Sequence, residues 1–217
     1  MLYIAGRQIP DTLDEIAAPA RTALLLWDMH GNLEKRAFNH REIVPRLQRL
    51  TQAARAAGVP VYYSVQNHFD LATEETAVWV RLRMKRDQAT ASKNAAVSAA
   101  DGHSDRFPDE IAPQPGDHVF RKRRTNGFEG TDLDLSLRYR GIGTVLVAGV
   151  STEGGVEVTA RCGLTLGYYM VVVRDCVGSR RSEMRDLALE FMEKTHLDIA
   201  TADEIMACWS RARPDLT

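Results

Sequence analysis

Three things are missing from this sequence: an excess of charge of one sign, a long apolar run and a paired cysteine pattern. Each absence removes a class of protein. Lys and Arg number 28 against 29 Asp and Glu, for a formal net charge of −1. The two signs alternate along most of the chain, so nothing points to nucleic acid or a membrane surface. The densest basic run, Arg121 to Arg124, is short and reads as a local patch. No stretch is long and apolar enough to span a bilayer, and Met1 to Pro10 lacks a basic segment followed by an apolar one. The expected compartment is the cytoplasm. Cys162, Cys176 and Cys208 make an odd count without CxxC spacing, which argues against a zinc site or a disulfide framework. Internal repeats and low-complexity tracts are absent too.

What is present is an ordinary globular composition, 44% hydrophobic and 26% charged over 217 residues, which fits one domain over residues 1–217. Apolar runs recur at Thr22 to Trp27, Val59 to Val65, His118 to Arg121, Thr144 to Gly149, Tyr168 to Val173 and Leu197 to Ala200. Stretches with helical spacing separate them. That alternation predicts an α/β fold, a three-layer α/β/α sandwich around a six-stranded parallel sheet.

Ile43, Val44, Leu47, Leu50, Ala54 and Ala57 share one helical face, ended by Gly58-Val59-Pro60. Pro45 then falls in the first turn of that helix. Ser182 is placed as the N-cap of another, whose buried face is Met184, Leu187, Ala188, Phe191 and Met192. The segment from Lys85 to Pro115 is the poorest part of the pattern. It reads as a surface excursion that either covers a site or a subunit contact, or is an inert insertion.

In open parallel sheets, ligands bind beyond the carboxyl ends of the strands. Three strand ends carry unusual residues. The first places Asp28 directly after a buried apolar run, in Trp27-Asp28-Met29-His30. The third ends Arg121-Lys122-Arg123-Arg124, where alternation puts Lys122 and Arg124 on the same side. The fourth runs into Ser151-Thr152-Glu153-Gly154-Gly155 and then a helix from Val156 to Leu166, so free amides of the turn face any bound anion. Taken singly, Asp28 reads equally as a turn former, Lys122 as a solvated strand-end charge and Glu153 as a helix cap. Glu153 facing Asp28 would alternatively form a carboxylate pair sharing a proton.

The joint order of these segments is specific. The run Ala23 to Met29, Lys122 followed by Phe128-Glu129-Gly130-Thr131-Asp132-Leu133, and Gly149-Val150-Ser151-Thr152 with Thr159-Ala160-Arg161 resemble the blocks of the isochorismatase-like hydrolases, in matching order over about residues 10 to 205. In the cysteine hydrolases of that family, an aspartate activates a cysteine, a lysine stands beside it, and turn amides hold the oxyanion. The resemblance gives Asp28 and Lys122 those places and puts Gly155 at the cysteine. It also implies a cis peptide at Val150-Ser151. Cys162 lies about two helical turns, roughly 10 Å, beyond Gly155 and cannot replace the thiol. All three cysteines read as packing residues.

Glycine at that position resembles the true isochorismatases, which cleave a vinyl ether without a covalent cysteine. Tyr62-Tyr63-Ser64-Val65-Gln66 and Lys122-Arg123-Arg124 are similar to their segments too, which implies Gln66 and Arg124 as substrate contacts. Ser151, Glu153 and Gly154 would line the same site. Ser151 and Glu153 replace an aromatic residue and a histidine of those enzymes, so the implied substrate is a small anion, an enol ether or a related carboxylate. His30 and His68 resemble part of the metal site of the nicotinamidase branch without its further histidine. They are therefore expected as polar contacts, with no metal and no cofactor. The resemblance also implies a homodimer or homotetramer. The rival reading is an inactive family member keeping a ligand pocket or an assembly role.

Overall fold

The computed structural model describes residues 1–67, 75–88 and 105–212. The chain opens with a short antiparallel hairpin, β1 (Leu2–Ile4) and β2 (Arg7–Ile9), closed by Ala5 and Gly6 at φ 50° and 76°. Positive φ at both central residues suits the twist of a two-residue hairpin. Helix α1 (Leu13–Ile16) and the first sheet strand, β3 (Thr22–Trp27), follow. Then come α2 (His40–Ala57), β4 (Val61–Gln66), α3 (Ala77–Gln88), β5 (His118–Lys122), α4 (Leu133–Tyr139), β6 (Thr144–Val150), α5 (Glu157–Thr165), β7 (Tyr169–Gly178), α6 (Ser182–Lys194), β8 (Asp198–Ala200) and α7 (Ala202–Ala212).

The six strands β3 to β8 form one parallel sheet in the order β5-β4-β3-β6-β7-β8. Both faces are covered, and the alternation of β3 shows how. Leu24 and Leu26 point to one core with Ile43, Leu47 and Leu50 of α2 and Ile205 and Trp209 of α7. Ala23, Leu25 and Trp27 point to the other, with Leu133 and Leu137 of α4, Ala160 of α5 and Met192 of α6. All of β3 and β6 is buried, as central strands of a doubly covered sheet must be. Strand order reverses between β3 and β6, which opens a crevice at their carboxyl ends.

The structure moves several expected boundaries. Strand β7 runs on to Gly178, past the expected Val173, with a register shift opposite Val147 and Gly149. Helix α2 starts at His40, so Pro45 stands in its second turn and not its first. Pro45 is exposed, on the face of the helix turned away from the core, and it supplies no N–H to the helix ladder. The cap of α6 is Arg181 in extended conformation, while Ser182 is the first helical residue and donates to Glu183. Between β6 and α5 the chain makes a π-type turn, Thr152–Val156, with Gly154 at φ −114° and ψ −108°. The Val150-Ser151 peptide is cis. Residues 89–104, most of the excursion, lie outside the described residues; its near end, from Lys85 to Gln88, belongs to α3, and Ile111 near its far end is buried. Among the described residues, no helix is long and apolar enough to cross a membrane.

Candidate active site

Strands β3, β4 and β5 are adjacent, so their carboxyl ends deliver Asp28, Ser64, Gln66 and Lys122 to one place. Asp28 follows the last residue of β3 with φ 49°, a left-handed conformation that Asp tolerates better than most residues. Its backbone N–H donates to Ser64 Oγ at 3.0 Å, and the same hydroxyl donates to Asp28 Oδ1 at 3.0 Å. The carboxylate is thereby clamped at both backbone and side chain. Lys122 Nζ donates to Asp28 Oδ2 at 2.9 Å and to Gln66 Oε1 at 2.5 Å. It also stands 4.3 Å from the centroid of the Trp27 ring. Burial of Lys122 lowers its pKa, and the charge and hydrogen bond of Asp28 work against that shift.

A second cation faces the same carboxylate. Arg36 holds the turn after β3 by donating to the carbonyls of Asp28 and His30, both at 2.9 Å, and its other nitrogen lies 3.6 Å from Asp28 Oδ2. His30 is fully buried beside Phe107. Its Nε2 lies 3.2 Å from the Gln66 N–H and 3.9 Å from Asp28 Oδ1. Lys122 and Arg36 both face the Asp28 carboxylate.

Asp28, Lys122, Gln66 and His30 are thus brought together. Arg124 is engaged elsewhere: it donates to both oxygens of Glu75 at 3.0 and 3.2 Å and packs over Trp79 at 4.9 Å. Glu153 accepts from Ser179 Oγ at 2.8 Å and lines a groove against α6 with Met184, Leu187 and Phe191. No described contact joins it to Asp28; the N-cap is Ser151, and Glu153 stands in the first turn, where a carboxylate suits the positive end of the helical segment. The Gly154 N–H is taken by the Ser151 carbonyl at 3.2 Å. Ser151 Oγ would stand 2.7 Å from a Cβ at residue 154. His68 lies outside the described residues.

Gly155 is packed on Trp27. A Cβ added there would stand 1.9 Å from the indole Nε1. Of the three thiols, Cys176 is in the core and Cys208 is buried, and burial pushes both up in pKa, Cys208 to about 11. Cys162 accepts a hydrogen bond from Asn126 at 3.2 Å. Among the described residues, no group of three His, Cys, Asp or Glu is placed to hold a metal.

Sequence patterns alone did not reveal Trp27, Ser64 and Arg36. Ser64 carried a signal, since a serine in the buried run Val61 to Val65 needs a partner. Arg36 carried none, because its place depends on how the turn after β3 folds back.

The fold and site define a three-layer α/β protein with a buried Asp–Lys pair at the carboxyl edge of its parallel sheet. The chain belongs to the isochorismatase family of hydrolases: the isochorismatase domain matches residues 22–204. It is 29% identical over 234 residues to the ureidoacrylate amidohydrolase RutB of Pseudomonas syringae pv. syringae, covering 95% of each chain. It is 28% identical over 168 residues to an N-carbamoylsarcosine amidase of Arthrobacter, covering 76% of this chain and 60% of that one. A crystal structure of a cysteine hydrolase from Pseudomonas syringae pv. phaseolicola superposes with a TM-score of 0.73 at 25% identity, over 89% of this chain and 94% of that one.

Proposed function

We propose that this chain is a hydrolase of small anionic molecules that works by proton transfer at Asp28 without a covalent cysteine. The observation that carries the reading is the Asp28–Lys122 pair, buried at the strand ends with Arg36 beside it. Lys122 and Arg36, both close to Asp28, suit an anion, either an enol ether or a related carboxylate. Of the relatives, one is named for ureidoacrylate, itself a carboxylate, which supports the same class and adds an amide to the bonds worth testing.

Asp28 takes a proton from the attacking water and delivers one to the departing side of the cleaved bond; for an enol ether that delivery goes to the unsaturated carbon and comes first. Lys122 keeps the carboxylate oriented and offsets negative charge gathering in the transition state. Gln66 holds Lys122 in place, and Glu75 and Trp79 hold Arg124.

The rival reading, a member without turnover, also has an observation behind it. Both carboxylate oxygens of Asp28 and two donors of Lys122 are already engaged, and the Asp28 side chain is only 10% exposed. Screening enol ethers, amides and carboxylates for both binding and turnover separates the two. Turnover supports the hydrolase, while ligands bound without turnover support the rival.

Two further outcomes are expected of the active protein. Treatment with iodoacetamide leaves activity unchanged, since no thiol reaches Asp28; substrate-protected loss of turnover with one thiol labelled would contradict this. Exhaustive chelation also leaves activity unchanged, because the described His, Cys, Asp and Glu side chains supply no ligand set. Inactivation reversed by adding back one metal would show that reading to be wrong.

A further inference from the structure

Three glycines, Gly127, Gly149 and Gly155, all open onto one residue. A Cβ at Gly155 would stand 1.9, 2.2 and 2.5 Å from Nε1, Cε2 and Cζ2 of Trp27, which is inside the ring. One at Gly127, in the loop after β5, would stand 2.7 Å from Cζ3 of the same indole. At Gly149, where φ is +117°, a Cβ would lie 2.1 Å from the Trp27 carbonyl oxygen. The first two cradle the ring from two elements, and the third lets β6 close on the backbone of β3. Trp27 is 1% exposed, so its ring is enclosed by the protein on all sides. The face of the same indole carries the Lys122 ammonium.

We infer that Trp27 fixes the chemistry of this site: its indole fills the volume that a nucleophilic side chain at position 155 would need, and holds Lys122 beside Asp28. Trp27 is a positioning residue, and Trp27 with Gly155 forms one coupled specification of a site without a covalent intermediate. This rests on the reading of position 155 as the place of the family's nucleophile. A short side chain at 27 would free the space that a thiol at 155 occupies, beside Lys122.

The test needs no substrate, so its failure is separate from any failure of the proposed activity. Gly155→Cys, Trp27→Leu and the double variant are compared with wild type by melting temperature and by iodoacetamide labelling localised by mass spectrometry. Gly155→Cys is expected to lower Tm by about 5–10 °C, because its Cβ overlaps atoms of an enclosed ring. The double variant is expected to lose less than the sum of the two single losses, as for groups in direct contact. The thiol introduced at position 155 is expected to label faster in that variant than the half-buried Cys162. If Gly155→Cys fails to fold, recovery of a folded double variant supports the coupling, and a double variant that also fails to fold overturns it. Additive losses, or a Gly155→Cys protein as stable as wild type, overturn it as well. So does a folded double variant whose introduced thiol stays unlabelled.

Discussion

Replacing Asp28 with Asn is expected to lower kcat about a hundredfold or more on any substrate the protein turns over, as loss of a general acid–base group implies. The amide keeps the size of the side chain and still accepts the Ser64 hydroxyl, but it cannot carry a proton between water and the departing atom. Substrate affinity should move much less, because Lys122 and Arg36 remain to attract an anion and both gain from losing their competing carboxylate. The fold should hold at a lower melting temperature: the backbone N–H of Asp28 keeps its bond to Ser64 Oγ, but the buried Lys122 loses its carboxylate. The experiment compares kcat, ligand affinity and melting temperature between the two proteins. A folded variant as fast as wild type would remove Asp28 from the mechanism.

The second large effect is on stability. Lys122→Met is expected to destabilise the fold by about 3–5 kcal/mol, the usual cost of leaving one member of a buried ion pair behind. For a chain of this size that is a fall in Tm on the order of 10 °C. Asp28 would then face Arg36 at 3.6 Å as its remaining close cation, and Gln66 Oε1 would lose its donor. Adding Asp28→Asn to Lys122→Met should recover part of the loss, because the second change removes the stranded charge. The pH dependence has a definite sign. Burial sets the Lys122 pKa below its ordinary 10.5, so the unfolded chain binds that proton more tightly than the folded one. Its contribution therefore makes wild-type stability rise with pH between the lowered value and 10.5. Lys122→Met should abolish that rise, measured by chemical denaturation across the alkaline range. Equal stability of variant and wild type would show that the pair contributes nothing to the fold.

How much of this was legible in the sequence follows from what each signal depends on. The strands were readable because a doubly covered sheet demands continuous apolar runs, and Thr22 to Trp27 has no charged interruption until Asp28. The ends were less so: β7 outruns its apolar run to Gly178 because pairing with β6 resumes beyond the register shift. Asp28 stood out as a charge closing a buried run and Lys122 as one closing a strand candidate, and strand adjacency then brought them together. Arg124 and Glu153 look equally prominent in sequence, yet their partners, Glu75 and Ser179, sit on segments whose approach no local pattern reports. Trp27 was hidden for the opposite reason. An aromatic residue closing an apolar strand reads as core, and only the three glycines around it reveal its part in the site.

Those glycines also constrain the order in which such a site can be altered one residue at a time. From a chain with a side chain at 155 and a small residue at 27, introducing tryptophan first would drive two groups into the same space. The passable route makes position 155 glycine first and admits the indole second. Once the ring is seated, the return step at 155 is closed until position 27 changes, so the pair behaves as a ratchet. A single-substitution library built on this protein should contain no variant with a larger residue at 155 that matches its parent in stability, whereas one built on Trp27→Leu should.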